Sequence, residues 1–440
     1  MKEFAHTPYG GAFIGKLCHE SVAVIGLGYV GLPLAVRLAE KFENVLGFDI
    51  SETRIDRLKS GFDDTREVVR ERLQESGLRV SSSTADLAEA TFFIVAVPTP
   101  ITNSKQPDLR PLEQACRTVG PYLKKRDIVV FESTVYPGVT ENFCGPLLSE
   151  ISGLRAGVDF NLGYSPERIN PGDKVNTLET IVKNISADTP EALDRVAAVY
   201  GAAVDAGVFR CSSIRVAEAS KVMENTQRDV NIALMNELSL ICQRIGVSSN
   251  EVIDAASTKW NFVPFRAGLV GGHCIGVDPY YLAALSEQVG HHPEIILAGR
   301  RLNDAMVSHV ANALMRRLVM RGGPVRSARV GFFGITFKEN VPDLRNSKAI
   351  ELIAALASFG LHVMASDACS SVDEAAREGV TLVDASELVD LDLLVVAVPH
   401  REYLVEPEFV KRLRPDGVFG DIRGAFRQHA MPSGISYWSL

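Results

Sequence analysis

The first clear apolar pattern along the chain is Ser21-Val-Ala-Val-Ile-Gly26, a short β-branched run closed by glycine, followed by helical spacing through Leu34, Leu38 and Phe42. This predicts strand, turn and helix. A second strand, Val45-Leu-Gly-Phe48, closes with Asp49. Later apolar runs at Phe92–Val97 and Ile128–Phe131 are separated by helix-like segments, as a parallel sheet with crossover helices requires. From about Ser212 to Met320 the period becomes helical, through Val216, Ala219, Val222 and Met223 and then Ile232, Met235, Leu238 and Ile241, with a glycine-rich loop at Gly268–Gly276. Beyond a turn-rich linker at Arg321-Gly-Gly-Pro324, Arg329–Gly334 opens a second α/β series, continued by Leu361–Ala365 and Leu393–Val398. Both α/β series contain a strand ending in Ala-Val-Pro, at Ala96–Pro98 and Ala397–Pro399, which hints at a duplicated topology. The expected organisation is an N-terminal extension (residues 1–20), a doubly wound domain (21–211), a helical middle domain (212–320) and a second α/β domain (321–440).

Length agrees, since 440 residues at roughly 150 per domain imply about three domains. Acidic residues outnumber basic ones by 54 to 46, giving net charge −8, which disfavours a nucleic-acid partner but leaves room for a local phosphate pocket. No apolar run reaches the roughly 18 residues of a membrane span; the longest, near Thr91–Pro98 and Leu393–Pro399, read as buried strands. The first twenty residues lack the layout of a secretory signal, so a cytoplasmic protein is expected. Seven cysteines (Cys18, Cys116, Cys144, Cys211, Cys242, Cys274 and Cys369) are odd in number and never form a CxxC pair. Neither a disulfide framework nor a thiolate metal site is expected, and most of these thiols should be buried small hydrophobes.

Gly26-Leu-Gly28-Tyr29-Val30-Gly31 is a GxGxxG sequence placed between an expected strand and an expected helix. There the first glycine makes the tight turn, the second admits a pyrophosphate to the backbone, and the third permits helix–strand packing. Asp49, at the end of the next strand, can accept from ribose hydroxyls and would repel a 2′-phosphate, favouring NAD over NADP. Arg54 complicates this choice, because a guanidinium there could meet a phosphate or stack on adenine. Thr99 and Thr134 follow strand ends, where their hydroxyls could reach the nicotinamide side or simply cap turns.

Gly271-Gly-His-Cys274-Ile-Gly-Val-Asp278 carries the most chemistry. A cysteine between glycines is either an accessible nucleophile able to attack an aldehyde or an inert unpaired thiol. His273 is its neighbour, but adjacent side chains usually diverge, and His273, His291 and His292 lack convincing metal-ligand spacing. Asp278, four residues on, could share the face of Cys274 or serve only as a helix-start carboxylate. Lys221 and Asn225 are one helical turn apart, so an ammonium and an amide can meet one alkoxide; a solvated lysine paired with Glu218 is the alternative. Glu167 sits in the Pro- and Gly-rich Ser165–Gly172 segment, which suits rigid positioning.

Taken together, GLGYVGLPLA (Gly26–Ala35), Asp49 with Arg54, Ser133-Thr134, Ser165-Pro-Glu167-Arg168, Lys221 with Asn225, GGHCIGVD, and Phe337-Lys338 followed by Asp343-Leu-Arg345 resemble the UDP-glucose/GDP-mannose dehydrogenase family from about Val22 to the C-terminal region. The segments Gly271–Leu282 and Phe337–Lys348 look most like the branch acting on UDP-N-acetylhexosamines. The resemblance implies two Rossmann-like doubly wound α/β domains joined by a helical dimerisation domain, and a homodimer or higher oligomer. It also implies a UDP-N-acetylglucosamine 6-dehydrogenase that oxidises C6 from alcohol through aldehyde to carboxylate with two NAD, in the service of a surface polysaccharide.

In that scheme Cys274 forms a thiohemiacetal and then a thioester. Lys221 stabilises the oxyanion, Asn225 and Asp278 position the ammonium and a water, Glu167 assists water attack, and Thr134 holds that water or the cofactor. Arg345 would reach the cofactor from the third domain. Phe337 and Lys338 would meet the uracil or ribose, with Arg168 and Gly271 at the substrate, while Lys259, Phe265 and Arg266 would supply sugar or diphosphate contacts. Two departures from the UDP-glucose pattern stand out: Pro171 replaces a second glutamate after the Pro-Glu pair, and Val277 replaces a lysine before Asp278. Two other readings remain open: a two-electron hydroxyacid-type dehydrogenase that needs no thiol, and a regulator that binds NAD or nucleotide sugar without turnover. The stereochemistry at C2 and C4 of the sugar is also open, leaving N-acetylgalactosamine and N-acetylmannosamine as alternatives.

Overall fold

A computed structural model describes residues 20–102, 104–169, 175–272, 274–322, 324–406 and 409–440. The expected N-terminal extension up to residue 19, with Cys18, and the positions Pro171 and His273 lie outside the described residues. The chain divides into two compact units, one running to Glu224 and including Tyr280–Val289, the other comprising Asn225–Pro279 and Gly290–Leu440.

The first unit is built on an eight-stranded sheet, with strands β1 (Val22–Ile25), β2 (Val45–Phe48), β3 (Arg79–Ser81), β4 (Phe92–Val95), β5 (Ile128–Phe131), β6 (Asn161–Tyr164), β7 (Lys183–Ala187) and β8 (Val208–Arg210). Their order is β3-β2-β1-β4-β5-β6-β7-β8, parallel except between β6 and β7. Every residue of β1, β4 and β5 is buried, as in a sheet covered on both faces. Successive residues feed opposite cores: Val22, Val24, Phe92, Ile94, Ile128 and Val130 on one side, Ala23, Ile25, Phe93, Val95, Val129 and Phe131 on the other. The sequence marks these runs as buried strands, but β4 stops short of Val97 as the chain turns towards Pro98, which has no N–H to continue a ladder.

The second unit carries a five-stranded parallel sheet, ordered β10-β9-β11-β12-β13, from β9 (Arg329–Phe333), β10 (His362–Ser366), β11 (Leu391–Val396), β12 (Leu413–Asp421) and β13 (Ser436–Trp438). The duplication hinted at by the two Ala-Val-Pro segments is visible hydrogen bond by hydrogen bond. Gly26 and Gly334 end β1 and β9 with φ of +93° and +81°. Leu27 N–H donates to Asp49 at 2.9 Å and Ile335 N–H to Asp367 at 2.6 Å. Ala96 N–H reaches the Ile25 carbonyl at 2.8 Å and Ala397 N–H the Phe333 carbonyl at 3.0 Å. Each turn therefore uses a left-handed glycine, and an aspartate at the end of the neighbouring strand holds it closed.

Helices occupy the middle of the chain, two long ones at Ile214–Ile245 and Glu294–Arg321 and two short ones between them at Ser249–Ala256 and Asp278–Gln288. In the second unit Arg300 and Asp229 pair at 2.6 Å, both buried, with Asn303 donating to the same carboxylate oxygen at 2.7 Å. On the Ile214–Ile245 helix, Val216, Met223, Leu234, Ile241 and Ile245 are exposed and fall within about 20° of one line at roughly 100° per residue. Among the described residues no helix is long and apolar enough to cross a membrane.

Candidate active site

In the first unit the Gly26–Gly31 turn has the space a dinucleotide needs. A Cβ on Gly26 would come within 2.8 Å of the Ala96 carbonyl oxygen, and one on Gly31 within 1.8 Å of the Gly26 carbonyl oxygen, so both positions exclude a side chain. A Cβ on Gly28 would meet nothing within 4 Å. Backbone thus lies bare above the N-terminus of the Gly31–Ala39 helix, which no side chain caps, in the place where a pyrophosphate gains from N–H groups and helix dipole. Tyr29 and Val30, half-buried, flank it.

Asp49 accepts from Leu27 N–H through Oδ2 and from Ser51 N–H through Oδ1, each at 2.9 Å, leaving one lone pair per oxygen for ribose hydroxyls. Arg54 is committed nearby, donating to the Leu27 carbonyl at 2.8 and 3.0 Å and to Asp63 at 2.7 Å, so it braces the turn from below. These residues fit NAD.

Around the carboxyl ends of β4 to β6 the first unit gathers Thr99 and Thr134, both half-buried, and Glu167, which is buried. Ser133 ties its loop to the Val97 carbonyl at 2.6 Å. Glu167 Oε1 accepts from the N–H groups of Arg168 at 2.6 Å and Ile169 at 2.5 Å, and Oε2 accepts from Lys183 at 3.0 Å. Arg168 donates to the Val182 carbonyl at 2.8 Å and pairs with Glu224 at 2.9 Å. Lys183 also ion-pairs with Glu132 at 3.1 Å, both side chains being almost wholly buried.

Sequence reasoning missed this lysine and Glu132, which no local pattern marks. Lys221 is buried on the Ile214–Ile245 helix. The solvated pairing with Glu218 is not what Glu218 does: wholly buried, it accepts from the N–H groups of Gly138 at 2.5 Å and Thr140 at 2.9 Å. Burial raises the Glu218 carboxyl, and those two N–H groups hold it back.

In the second unit Cys274 is exposed, whereas Cys116, Cys144, Cys211 and Cys242 are buried. Its loop is stitched to the segment after β9. Gly272 N–H donates to the Asn346 carbonyl at 3.2 Å. A Cβ on Gly271 would press on that same oxygen at 2.6 Å, and one on Gly272 (φ +83°) on the Phe337 ring at 2.8 Å. Both glycines are therefore demanded by close approach. The loop closes with Asp278 N–H on the Cys274 carbonyl at 2.8 Å, where the Asp278–Gln288 helix begins. Asp278 is more than a helix-start carboxylate, since Asn225 donates to its Oδ2 at 2.5 Å.

Phe337 and Lys338 line a pocket with Leu269, Gly271, Lys348 and Arg423. Arg345 is half exposed and held by Asp343 at 2.8 and 3.0 Å. Upstream, Lys259 is exposed, Phe265 packs on the core, and Arg266 donates to the Asn250 carbonyl at 3.1 Å and pairs with Asp254.

Among the described residues one cluster of metal-type donors joins Asp367 and Cys369, after β10, to His400, after β11. The lone pairs of Asp367 and of His400 Nδ1 are already engaged. Asn340 N–H donates to His400 Nδ1 at 2.9 Å, which puts the ring proton on Nε2, 3.1 Å from Asp367 Oδ2. The other Asp367 oxygen accepts from the N–H groups of Cys369 and Ser370 at 2.8 Å each. The cluster cross-braces the turn. His291 and His292 are exposed.

A doubly wound domain with an open glycine turn and a ribose-type aspartate, followed by helices, an exposed cysteine in a glycine loop and a second doubly wound sheet, defines an NAD-dependent oxidoreductase of the two-sheet dehydrogenase class. Models of the UDP-glucose/GDP-mannose dehydrogenase family match in order: the NAD binding domain over residues 20–204, the central domain over 215–305 and the UDP binding domain over 331–428. The chain belongs to the UDP-glucose/GDP-mannose dehydrogenase family, as its motifs led us to expect. It is 51% identical over 384 residues to the UDP-N-acetyl-D-glucosamine 6-dehydrogenase of Pseudomonas aeruginosa, covering 87% of this chain and 91% of that one. It is 49% identical to Protein CapL of Staphylococcus aureus, over 96% of this chain and all of that one. Among solved structures, the UDP-D-ManNAc dehydrogenase of Pyrococcus horikoshii superposes with a TM-score of 0.86 at 31% identity, covering 95% and 98% of the two chains.

Proposed function

We propose that this protein oxidises the C6 hydroxyl of a UDP-N-acetylhexosamine, UDP-N-acetylglucosamine first among them, to the uronic acid in two successive oxidations. The exposed Cys274, in a loop whose preceding Gly271 and Gly272 admit no side chain, is the observation that carries the reading. An alcohol dehydrogenase that stops at the aldehyde needs no such thiol, whereas oxidation of an aldehyde to an acid is eased by a covalent thiohemiacetal. Identity of 51% to a UDP-N-acetyl-D-glucosamine dehydrogenase, against 31% to the UDP-D-ManNAc enzyme, supports N-acetylglucosamine as the sugar.

When bound, NAD accepts one hydride in each oxidation. Lys221, buried on its helix, stabilises the alkoxide as the C6 hydroxyl loses its proton. The Cys274 sulfur then bonds to C6 of the aldehyde while the carbonyl oxygen gains a proton. Loss of the C6 hydrogen with its electron pair, and of the hydroxyl proton, converts the thiohemiacetal to a thioester. Water adds at C6, the C–S bond breaks, and carboxylate and thiol separate.

Asp278, fixed by the Asn225 amide, orients the thiol loop and a water. Glu167 assists the attacking water through the one lone pair of Oε2 that Lys183 leaves open, with Thr134 beside the cofactor or water. Phe337 and Lys338 take the uridine end in the pocket with Lys348 and Arg423. The exposed apolar row of the Ile214–Ile245 helix supports a homodimer, with a boundary near residue 212 between the cofactor domain and the helical domain.

The test is NADH formed per sugar consumed, with UDP-N-acetylglucosamine, UDP-N-acetylgalactosamine and UDP-glucose supplied separately, for wild type and Cys274→Ala. Two equivalents with an acetamido sugar, lost in the variant, are expected. One equivalent, unchanged by the substitution, would return Cys274 to a structural role and leave a two-electron dehydrogenase.

A further inference from the structure

Three ionisable side chains meet in the first unit where β5 and β6 end and the antiparallel β7 begins: Glu132 directly after β5, Glu167 in the loop after β6, and Lys183 at the head of β7. Their side chains are 0%, 10% and 3% exposed, and Lys183 Nζ stands 3.1 Å from Glu132 and 3.0 Å from Glu167. The ammonium also lies 5.6 Å from the centre of the Tyr200 ring, contributed by the Pro190–Ala203 helix. A buried acid–lysine–acid set is a poor way to add stability, because desolvation offsets most of its Coulombic gain. Its geometry is better suited to controlling one carboxylate.

Both lone pairs of Glu167 Oε1 are filled by the N–H groups of Arg168 and Ile169, and Lys183 takes one of the two on Oε2. A single acceptor position remains on the least buried of the two acids. Glu132, in contrast, has neither oxygen in an aligned hydrogen bond.

We propose that Lys183 and Glu132 are positioning residues for Glu167, forming a buried clamp that aims its Oε2 and in which the two acids share the one lysine charge. This rests on the reading of Glu167 as the group that assists water attack. Two carboxylates and one ammonium leave one negative charge uncompensated, so the set tends to hold a proton. Burial, reinforced by the charge of Glu167 and opposed by Lys183, pushes Glu132 up to about 7. Glu132 is faced by Lys183, Glu167 and the Tyr200 hydroxyl, and Tyr200 by Ser165 as well. Burial pulls the Lys183 ammonium down, but the two carboxylates outweigh it and keep the group charged.

Below neutral pH, Glu132 is protonated and the whole lysine charge falls on Glu167. Above it, Glu132 ionises and draws on the same ammonium, which loosens the hold of Lys183 on Glu167. The ionisation belongs to the set as a whole.

The experiment follows breakdown of the acyl-enzyme in the full-length protein with UDP-N-acetylglucosamine and NAD, using intact mass for the covalent adduct and steady-state kinetics across pH. Four proteins are compared: wild type, Glu167→Gln, Lys183→Met and Glu132→Gln. Glu167→Gln is expected to accumulate the adduct, and its failure to do so overturns the reading of Glu167 itself. Lys183→Met is expected to accumulate it too, with kcat down on the order of 10- to 100-fold and KM within about twofold. Glu132→Gln, nearly isosteric and a neutral mimic of the protonated carboxyl that leaves the Lys183–Glu167 pair in place, should lose the rise in breakdown rate that wild type shows through about pH 7. If Glu167→Gln accumulates adduct while Glu132→Gln keeps the wild-type pH profile, the clamp is overturned and the role of Glu167 stands.

Discussion

The glycines of the Gly26–Gly31 turn allow fold and cofactor binding to be separated by three single-methyl substitutions. In Gly31→Ala the new Cβ would sit 1.8 Å from the Gly26 carbonyl oxygen, which belongs to the backbone of the same turn and has nowhere to go. Relieving that contact needs a shift of about 1.5 Å between helix and strand, at the upper end of overpacking penalties, about 3 kcal/mol. Gly26→Ala combines a 2.8 Å contact to the Ala96 oxygen with a φ of +93°, adding roughly 1–2 kcal/mol of backbone strain.

Gly28→Ala is different, because its Cβ meets nothing within 4 Å. The unliganded protein should lose no stability and can gain about 0.4–1 kcal/mol from a stiffer unfolded chain. The methyl group would nevertheless stand where a pyrophosphate approaches, so NAD affinity should fall about tenfold, or 1.4 kcal/mol.

Thermal melts without and with NAD, alongside fluorescence titration of NAD, read both effects. With NAD at about 100 times the wild-type Kd, ligand stabilisation of about 2.7 kcal/mol should drop by about 1.3 in Gly28→Ala. Gly31→Ala should melt well below wild type without ligand. Wild-type NAD affinity in Gly28→Ala, or an unchanged melt in Gly31→Ala, would refute the assignment of this turn.

Other consequences can be checked more briefly. Arg300→Met strands the wholly buried Asp229 carboxylate and should cost about 3–5 kcal/mol, read by chemical denaturation; a change below about 1 kcal/mol would mean the pair is not held as described. Asn225→Ala removes the 2.5 Å donor to Asp278 and should lower stability by about 1–3 kcal/mol and kcat more than KM; wild-type turnover would argue against the amide as a positioning group.

Burial would raise the Asp367 carboxyl, but hydrogen bonds from His400 and from the N–H groups of Ile335 and Ser370 hold it down to about 2. Its folded pKa lies below the unfolded value, so its stabilisation is present above about pH 4 and lost as pH falls through about 2. The stability gap between wild type and Asp367→Asn should accordingly be widest near neutrality and shrink across that acid window. A gap independent of pH would show that the carboxylate charge contributes nothing.

Much of the architecture was legible because burial on both faces of a parallel sheet writes itself as continuous apolar runs. The runs at Phe92–Val97, Ile128–Phe131 and Leu393–Val398 mark β4, β5 and β11, with the ends of the first and last displaced by two residues. The glycine turn and Asp49 were legible for a related reason: they act through backbone geometry that only particular residue types permit. Lys183 and Glu132 were not legible. A lysine and a glutamate fifty-one positions apart carry no local pattern, and only the adjacency of β5, β6 and β7 in the sheet brings them together. Glu218 likewise read as a solvated helix partner for Lys221, yet it is buried on the N–H groups of Gly138 and Thr140, because the face a helix buries depends on what it packs against.

The sequence by itself thus determined the more apolar strands β1, β2, β4, β5, β9, β10 and β11, the glycine turn at Gly26, the cofactor-type aspartate and the cysteine loop, since each depends on neighbours close along the chain or on a residue type with few conformational substitutes. Tertiary structure alone decided which charges are buried and what they pair with. Asn225 became the partner of Asp278, Arg54 a brace beneath its turn, and Asp367 the centre of a saturated cluster. The reason is that the energy of a buried polar group is set by the donors and acceptors within about 3 Å of it, and those come from segments that only folding makes adjacent.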